Sequence, residues 1–199
     1  PQRRREITLA GSEISDSGAG DLGLLAKYRL VRRNTRETTS GLAGTLELTV
    51  PTGADEFTSD TWDLRPGIYG SFRRGAWATD FSAAYRIPAV AGERDDGREI
   101  GEELALDWAG ARQFLVGGSA DTTIAPVLEL SYRDASADRL FGQSLANSGE
   151  QLLYLSPGIK YTRSSLILEA LVQFPVWQDQ SGAQVERGTG FLLGLRKMF

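Results

Sequence analysis

Glu103 and Asp107 come closest to an acid–base pair in this sequence. They share one face of an alternating segment, yet four residues of extended chain separate them by about 13 Å, too far for two carboxylates to act on one bond. The chain contains no His and no Cys. That excludes a Ser-His-Asp triad, a Cys nucleophile, a Cys/His zinc site and an axial-His haem, so no catalytic residue, metal or cofactor is expected. Without Cys there is no disulfide framework, and the redox compartment stays open.

The remaining chemistry is electrostatic. Arg73, Arg86, Arg133 and Arg196 recur with Asp80, Glu103, Asp107, Glu129 and Glu169 at positions of matching parity, as cations and carboxylates that pair along a common surface. The elements that carry them have period two. In 77–87, Trp77, Thr79, Phe81, Ala83, Tyr85 and Ile87 alternate with Ala78, Asp80, Ser82, Ala84 and Arg86. Segments 42–50, 124–133 and 165–174 repeat the pattern, each near the 9 to 11 residues with which a tilted strand crosses a bilayer. Looser alternation at 4–12, 20–33, 62–74, 98–110, 150–162 and 188–199 brings the expectation to roughly ten strands. Long polar connections are expected near 13–19, 52–61, 89–97, 135–148 and 176–187, and short turns near 34–37, 74–75 and 163–164. The stretch 110–121 fits if the fifth strand continues through Phe114 and Val116 to a turn at Gly117-Gly118. Pro126 and Pro157 cannot donate to a ladder and should mark a strand end, a bulge or a locally open pairing.

A net charge of −4 with scattered basic residues argues against nucleic acid as a partner. No apolar run is long enough for a membrane helix, but a transmembrane barrel hides its signal in alternation. Placing the charged face inward gives a balanced lumen. The opposite face then presents Tyr28, Trp77, Tyr85, Trp108, Tyr132, Tyr161 and Phe174, expected near strand ends, as interface aromatics. The competing reading is a soluble all-β domain in which those aromatics form the core.

The chain closes with Gly194-Leu195-Arg196-Lys197-Met198-Phe199. A terminal Phe199 on an alternating strand with Gly194 resembles the signal read by the barrel-assembly machinery, with Lys197 standing where such signals often carry an apolar residue. Gly20-Asp21-Leu22 with Lys27-Tyr28, Val50-Pro51-Thr52-Gly53, Asn147-Ser148-Gly149 with Leu153 to Gly158, and Gln173-Phe174-Pro175-Val176 follow one another in an order that resembles the outer-membrane family named after the MetA pathway of phenol degradation. The resemblance implies a transporter-like barrel of a Gram-negative outer membrane, passing small, hydrophobic or aromatic compounds. It also implies another strand or two upstream of the Gly20-Asp21-Leu22 segment, so that an N-terminal part of the barrel is expected to be missing; beginning at Pro1 without a signal peptide, the chain reads as a mature or trimmed form.

The expected fold is therefore a single all-β domain, an antiparallel transmembrane β-barrel of about 10 to 12 strands in meander order. Its expected partners are outer-membrane lipid and lipopolysaccharide, the assembly machinery and a small solute. The inward charges either line a pore or plug it, because barrels near eight strands can be filled by side chains. A plugged barrel would instead anchor or dock another envelope component. Acidic loops 53–60 and 92–99, with Asp55, Glu56, Asp60, Glu93, Asp95, Asp96 and Glu99, are candidates to meet lipopolysaccharide-bound cations or simply solvent, and Leu140, Phe141 and Leu145 to cap the mouth.

Overall fold

The computed structural model describes residues 2–9, 12–54, 58–91 and 96–198, with side chains over 19–54, 58–91, 96–118 and 121–198. Asp55, Glu56, Glu93, Asp95 and Phe199 lie outside the described residues. The strands are β1 (Gln2–Leu9), β2 (Ser12–Ala19), β3 (Leu22–Asn34), β4 (Thr38–Val50), β5 (Trp62–Arg74), β6 (Trp77–Ala91), β7 (Arg98–Glu99), β8 (Glu103–Arg112), β9 (Phe114–Val116), β10 (Ser119–Ala135), β11 (Arg139–Leu140), β12 (Gln143–Ser144), β13 (Glu150–Arg163), β14 (Leu166–Gln180) and β15 (Gly190–Lys197).

The main sheet is an antiparallel meander in the order β15-β14-β13-β10-β8-β6-β5-β4-β3, with β9 pairing β10 off that path. Nine of the ten expected segments lie in it in the expected meander order, with β9 continuing the 98–110 segment, whereas the 4–12 segment corresponds to β1 and lies outside it. Closure is not part of this hydrogen-bonded order. β3 and β15 are its two ends, while β1 and β2 pair with each other as a separate two-stranded sheet. A second correction concerns 13–19, expected as a connection: Ser12–Ala19 is a strand in register with β1. Alternation is weak there because Ser occupies both parities and Ile14 is the one large apolar residue of the segment. The 98–110 segment is also divided, since β7 leaves the main sheet to join β11 and β12 in a small loop sheet. The turn at Gly117-Gly118 is present, and both glycines have the positive φ that a tight reversal needs.

The register assigns the faces. Phe81, Trp108, Leu130, Leu155 and Phe174 lie in one hydrogen-bonded row, while Ser82, Asp107, Ser131 and Tyr154 lie in the adjacent row of opposite parity. Ala43, Ala105, Ala125, Thr123, Ser156 and Asp63 are buried, and all belong to the polar-parity face. Leu152, opposite Arg133, is the one large apolar side chain buried on that face among the described residues, while many large apolar residues of the other parity are exposed, including Tyr28 at 76% and Trp77 at 60%. Among the described residues, substantial contacts join only ladder neighbours. Curvature, rather than a second layer, therefore shelters the polar face. A soluble domain with an aromatic core would show the reverse burial.

Prolines stand where the ladder opens. Pro126 pairs Ile159 on β13 and lies against the interruption between β8 and β9. Pro157 pairs Leu128 on β10, and toward β14 the bridges skip from Leu155–Phe174 to Gly158–Leu171 in unchanged register. These are the locally open pairings expected of a residue with no N–H.

Gly158 marks a close approach. A Cβ there would stand 2.6 Å from Leu171 Cγ and 2.7 Å from the Ala170 carbonyl oxygen. Because the backbone oxygen cannot rotate aside, Gly158→Val should destabilise the fold by about 1–3 kcal/mol. Thermal unfolding followed by circular dichroism checks this; an unchanged midpoint would show that β13 and β14 separate there at no cost.

Candidate functional site

The polar face collects its charges by register. Antiparallel pairing sets Ser71 opposite Asp80, Asp80 opposite Ala109 and Ala109 opposite Glu129; one row on, Tyr69, Ser82, Asp107 and Ser131 align. Small residues alternate with charged ones, so each long side chain reaches a neighbour along the wall.

The expected residues, whose pairing the sequence left open, form two Arg–carboxylate pairs with one another. Arg73 Nη2 donates to both oxygens of Asp80, at 3.0 and 2.8 Å, and the Tyr69 hydroxyl donates to Asp80 Oδ1 at 2.9 Å. Lys27 Nζ stands 3.7 Å from the centre of the Tyr69 ring. Farther along, Arg133 Nη1 lies 2.8 Å from Asp107 Oδ1, and Asp107 also accepts from Ser82 Oγ at 3.0 Å and Ser131 Oγ at 2.8 Å. Each carboxylate is thus held by an Arg and by hydroxyl donors, which offsets the cost of withdrawing it from water.

Arg86 and Glu103 face each other in register, yet each chooses another partner. Arg86 approaches Asp63 at 3.9 Å, and Glu103 approaches Arg65 at 3.7 Å. Asp63 was absent from the expected set. It is buried, accepting from Thr61 Oγ1 at 3.1 Å and from the Ala89 N–H at 3.2 Å. Its parity with Arg65 was the available signal, but the bulges between β5 and β6 decide which cation it meets. Arg196 lies opposite Ile167 near the end of β15 and is exposed. Among the described residues it forms no ion pair. Glu129 and Glu169 likewise make none, and with Lys160, Arg73 and Asp80 they line a hollow of about 190 Å³ on this face.

The seven aromatics all share the apolar parity. Tyr85 and Tyr132 stand toward the long-loop end, where Tyr85 hydrogen-bonds Glu102 and Tyr132 stacks on Trp177 with centroids 6.5 Å apart. Trp77 and Tyr161 stand toward the short turns. Trp108, Phe174 and Tyr28 are corrections to the expected strand-end position, since each sits near the middle of its strand. Gly194 pairs Glu169.

The loops are pinned by other residues. Asp21 Oδ1 accepts from the Gly53 N–H at 3.0 Å, and Oδ2 accepts from the Ser59 N–H at 2.8 Å and its hydroxyl at 3.0 Å. Thr52 Oγ1 accepts from the Leu22 N–H at 3.1 Å. Gly20-Asp21-Leu22 and Pro51-Thr52-Gly53, far apart in sequence, therefore form one knot. Asn147 Oδ1 caps the Ala183 N–H at 2.9 Å, and Ser148 Oγ joins the Asp138 N–H to the Leu145 carbonyl at 2.9 and 2.8 Å. Leu140 pairs Arg98 and Phe141 is exposed.

A family model described as "Putative MetA-pathway of phenol degradation" matches residues 4–184. The chain belongs to this family. No curated protein and no solved structure matches it. The motifs that carry the family resemblance are thus largely those that tie loops together, whereas the paired charges of the polar face lie outside them.

Two outcomes are expected here. Burial opposes ionisation of Asp21, but hydrogen bonds from Ser59, Thr58 and Gly53 outweigh it and hold the carboxyl below its ordinary value. Its contribution to stability is complete above the ordinary Asp range and is lost as pH falls through the lowered value. Limited proteolysis of 51–60 should accelerate in that acid window and be fast at all pH in Asp21→Asn; a pH-independent rate in the parent chain would contradict it. A double-mutant cycle on Arg133→Ala and Asp107→Asn should give a coupling of about 1 kcal/mol in thermal unfolding, and additivity would show the pair to be fully screened.

Proposed function

We propose that the chain is a non-enzymatic outer-membrane β-barrel of a Gram-negative bacterium that admits a small, hydrophobic or aromatic solute through the space bounded by its polar face. In this reading the meander closes on itself, the apolar face meets lipid, and the barrel-assembly machinery inserts it. The observation that carries it is the inverted burial: small and charged residues sheltered, Trp, Tyr, Phe and Leu uncovered. Such a surface is costly in water and is matched by hydrocarbon.

The charge geometry favours an open lumen over a plug. Arg73 and Asp80 are on adjacent strands β5 and β6, and Arg133 and Asp107 on adjacent strands β10 and β8. Pairs made between neighbours run along the wall and leave the space in front of them free. Glu129 and Glu169 then contribute charge to that space without a salt-bridge partner among the described residues.

Planar-bilayer conductance of the refolded protein tests this, with heat-modifiable gel migration as the control for a closed barrel. Discrete steps are expected, and Glu129→Gln with Glu169→Gln should lower the cation preference measured in a salt gradient. A folded, heat-modifiable barrel without steps would overturn the channel reading in favour of a plugged scaffold. A protein that stays in solution without detergent would overturn the membrane reading itself.

A further inference from the structure

The two ends of the main sheet differ in charge. Backbone hydrogen bonds link successive turns into one rim: Gly75 N–H to the Glu37 carbonyl, Gln113 N–H to Ala76, Ser164 N–H to Asp121 and Met198 N–H to Ser165. Next to these turns stand Arg33, Arg74, Arg112, Arg163 and Lys197, all exposed. The register gives them one parity. Arg74 pairs Trp77 and Trp77 pairs Arg112, while Arg163 pairs Leu166 and Leu166 pairs Lys197. Arg33 pairs Ser40, which is opposite Phe72. Every one of these cations therefore projects from the apolar face. Among the described residues, Arg33, Arg74, Arg112 and Arg163 form no salt bridge. At the opposite end carboxylates prevail, with Asp60, Asp96, Glu99, Glu102 and Asp134 among them.

Just beneath this rim the apolar face is hollowed. A depression of about 590 Å³ is lined by Phe72, Trp77, Trp108, Phe114, Pro126 and Leu128, with Gly110 in its floor. It sits where β8 gives way to β9 against Pro126. Arg112 overhangs it, its guanidinium carbon 5.1 Å from the Trp77 ring centre and 5.0 Å from that of Phe114. A fixed cation above an aromatic-walled hollow has the shape of a lipid: an anion at the rim, a hydrocarbon chain below.

We propose that this end binds an anionic phospholipid, its phosphate between Arg74 and Arg112 and one acyl chain in the Trp77–Trp108–Phe114 hollow. The site rests on the membrane reading and extends it, because only a face already turned to lipid presents the hollow to an acyl chain. Charge complementarity selects the headgroup, since neither arginine forms a salt bridge among the described residues and the rim carboxylates Glu37 and Asp121 are outnumbered by its cations. It also assigns the direction of insertion: the short-turn rim lies in the phospholipid leaflet, and the acidic loops lie on the far side.

The test reconstitutes the full chain into vesicles of phosphatidylglycerol and phosphatidylcholine with identical acyl chains, then counts retained lipid by native mass spectrometry after extraction in mild detergent. Phosphatidylglycerol should be retained preferentially. The double variant Arg74→Gln, Arg112→Gln should lose that preference roughly tenfold, and Arg98→Gln at the opposite end should keep it. Brominated phosphatidylglycerol should quench Trp fluorescence in the parent chain, and less so in Trp77→Phe. Equal retention of both lipids, or undiminished preference in the double variant, would overturn the proposal. So would full displacement of phosphatidylglycerol by inorganic phosphate, which would reduce the site to a bare anion contact, or preferential retention of lipopolysaccharide. Heat-modifiable migration separates the two levels: its absence sinks the barrel reading, whereas its presence without lipid preference sinks this site alone.

Discussion

Lateral hydrogen bonding between consecutive strands is the constraint to which everything else in this molecule answers. Each main-sheet strand finds its backbone partners in the strands beside it, and no second layer is available to repair a gap. Residues without an N–H are consequently confined to places where the ladder is already interrupted. Pro126 faces the β8/β9 break, and Pro157 faces the skipped bridges toward β14. Pro66 on β5 repeats the arrangement, lying between the Leu64–Ile87 and Gly67–Ala84 bridges to β6. Side chains then inherit their surroundings from parity alone, because a strand in a single curved layer has one sheltered face and one uncovered face.

Parity also explains why the charges can be held without a core. A carboxylate on the sheltered face loses part of its hydration, and the residues able to compensate it lie on the flanking strands. Asp107 illustrates this: Ser82 and Ser131 are its cross-strand neighbours on either side, and Arg133 reaches it diagonally. Asp80 is served by Arg73 and Tyr69 from β5 in the same manner. Replacing small residues such as Ala105 or Gly158 by larger ones would crowd these diagonals, so small size on the polar face is part of the electrostatic arrangement.

Much of this was legible in the sequence because period-two alternation survives in the segments that are sheltered on one face only. The strands around 77–87, 124–133 and 165–174, the turn at Gly117-Gly118 and the proline gaps follow from it. What alternation does not encode is the offset between neighbours. The bulges between β5 and β6 swing Arg86 toward Asp63 and leave Glu103 to Arg65, an exchange of partners that no single strand's pattern reveals. The same stagger places Trp108 and Phe174 in one mid-strand row with Phe81, where a strand-by-strand reading puts them at an interface. β2 escaped notice for a different reason: with Ser on both parities and Ile14 as its one large apolar residue, it gives no face to detect.

The family motifs and the polar face do different work. Asp21 with Gly53 and Ser59, and Asn147 with Ala183, fix where the loops leave the sheet. Those bonds are indifferent to what passes or docks between the strands. Glu129, Lys160 and Glu169 border a hollow on the sheltered face and are bound by no such knot, so substitutions there leave the ladder and the loop anchors intact. Loop anchoring and the charge of the polar face therefore rest on separate sets of residues. In this chain that hollow carries three carboxylates, Asp80, Glu129 and Glu169, to two cations, Arg73 and Lys160, a small excess of negative charge that disfavours an anion there.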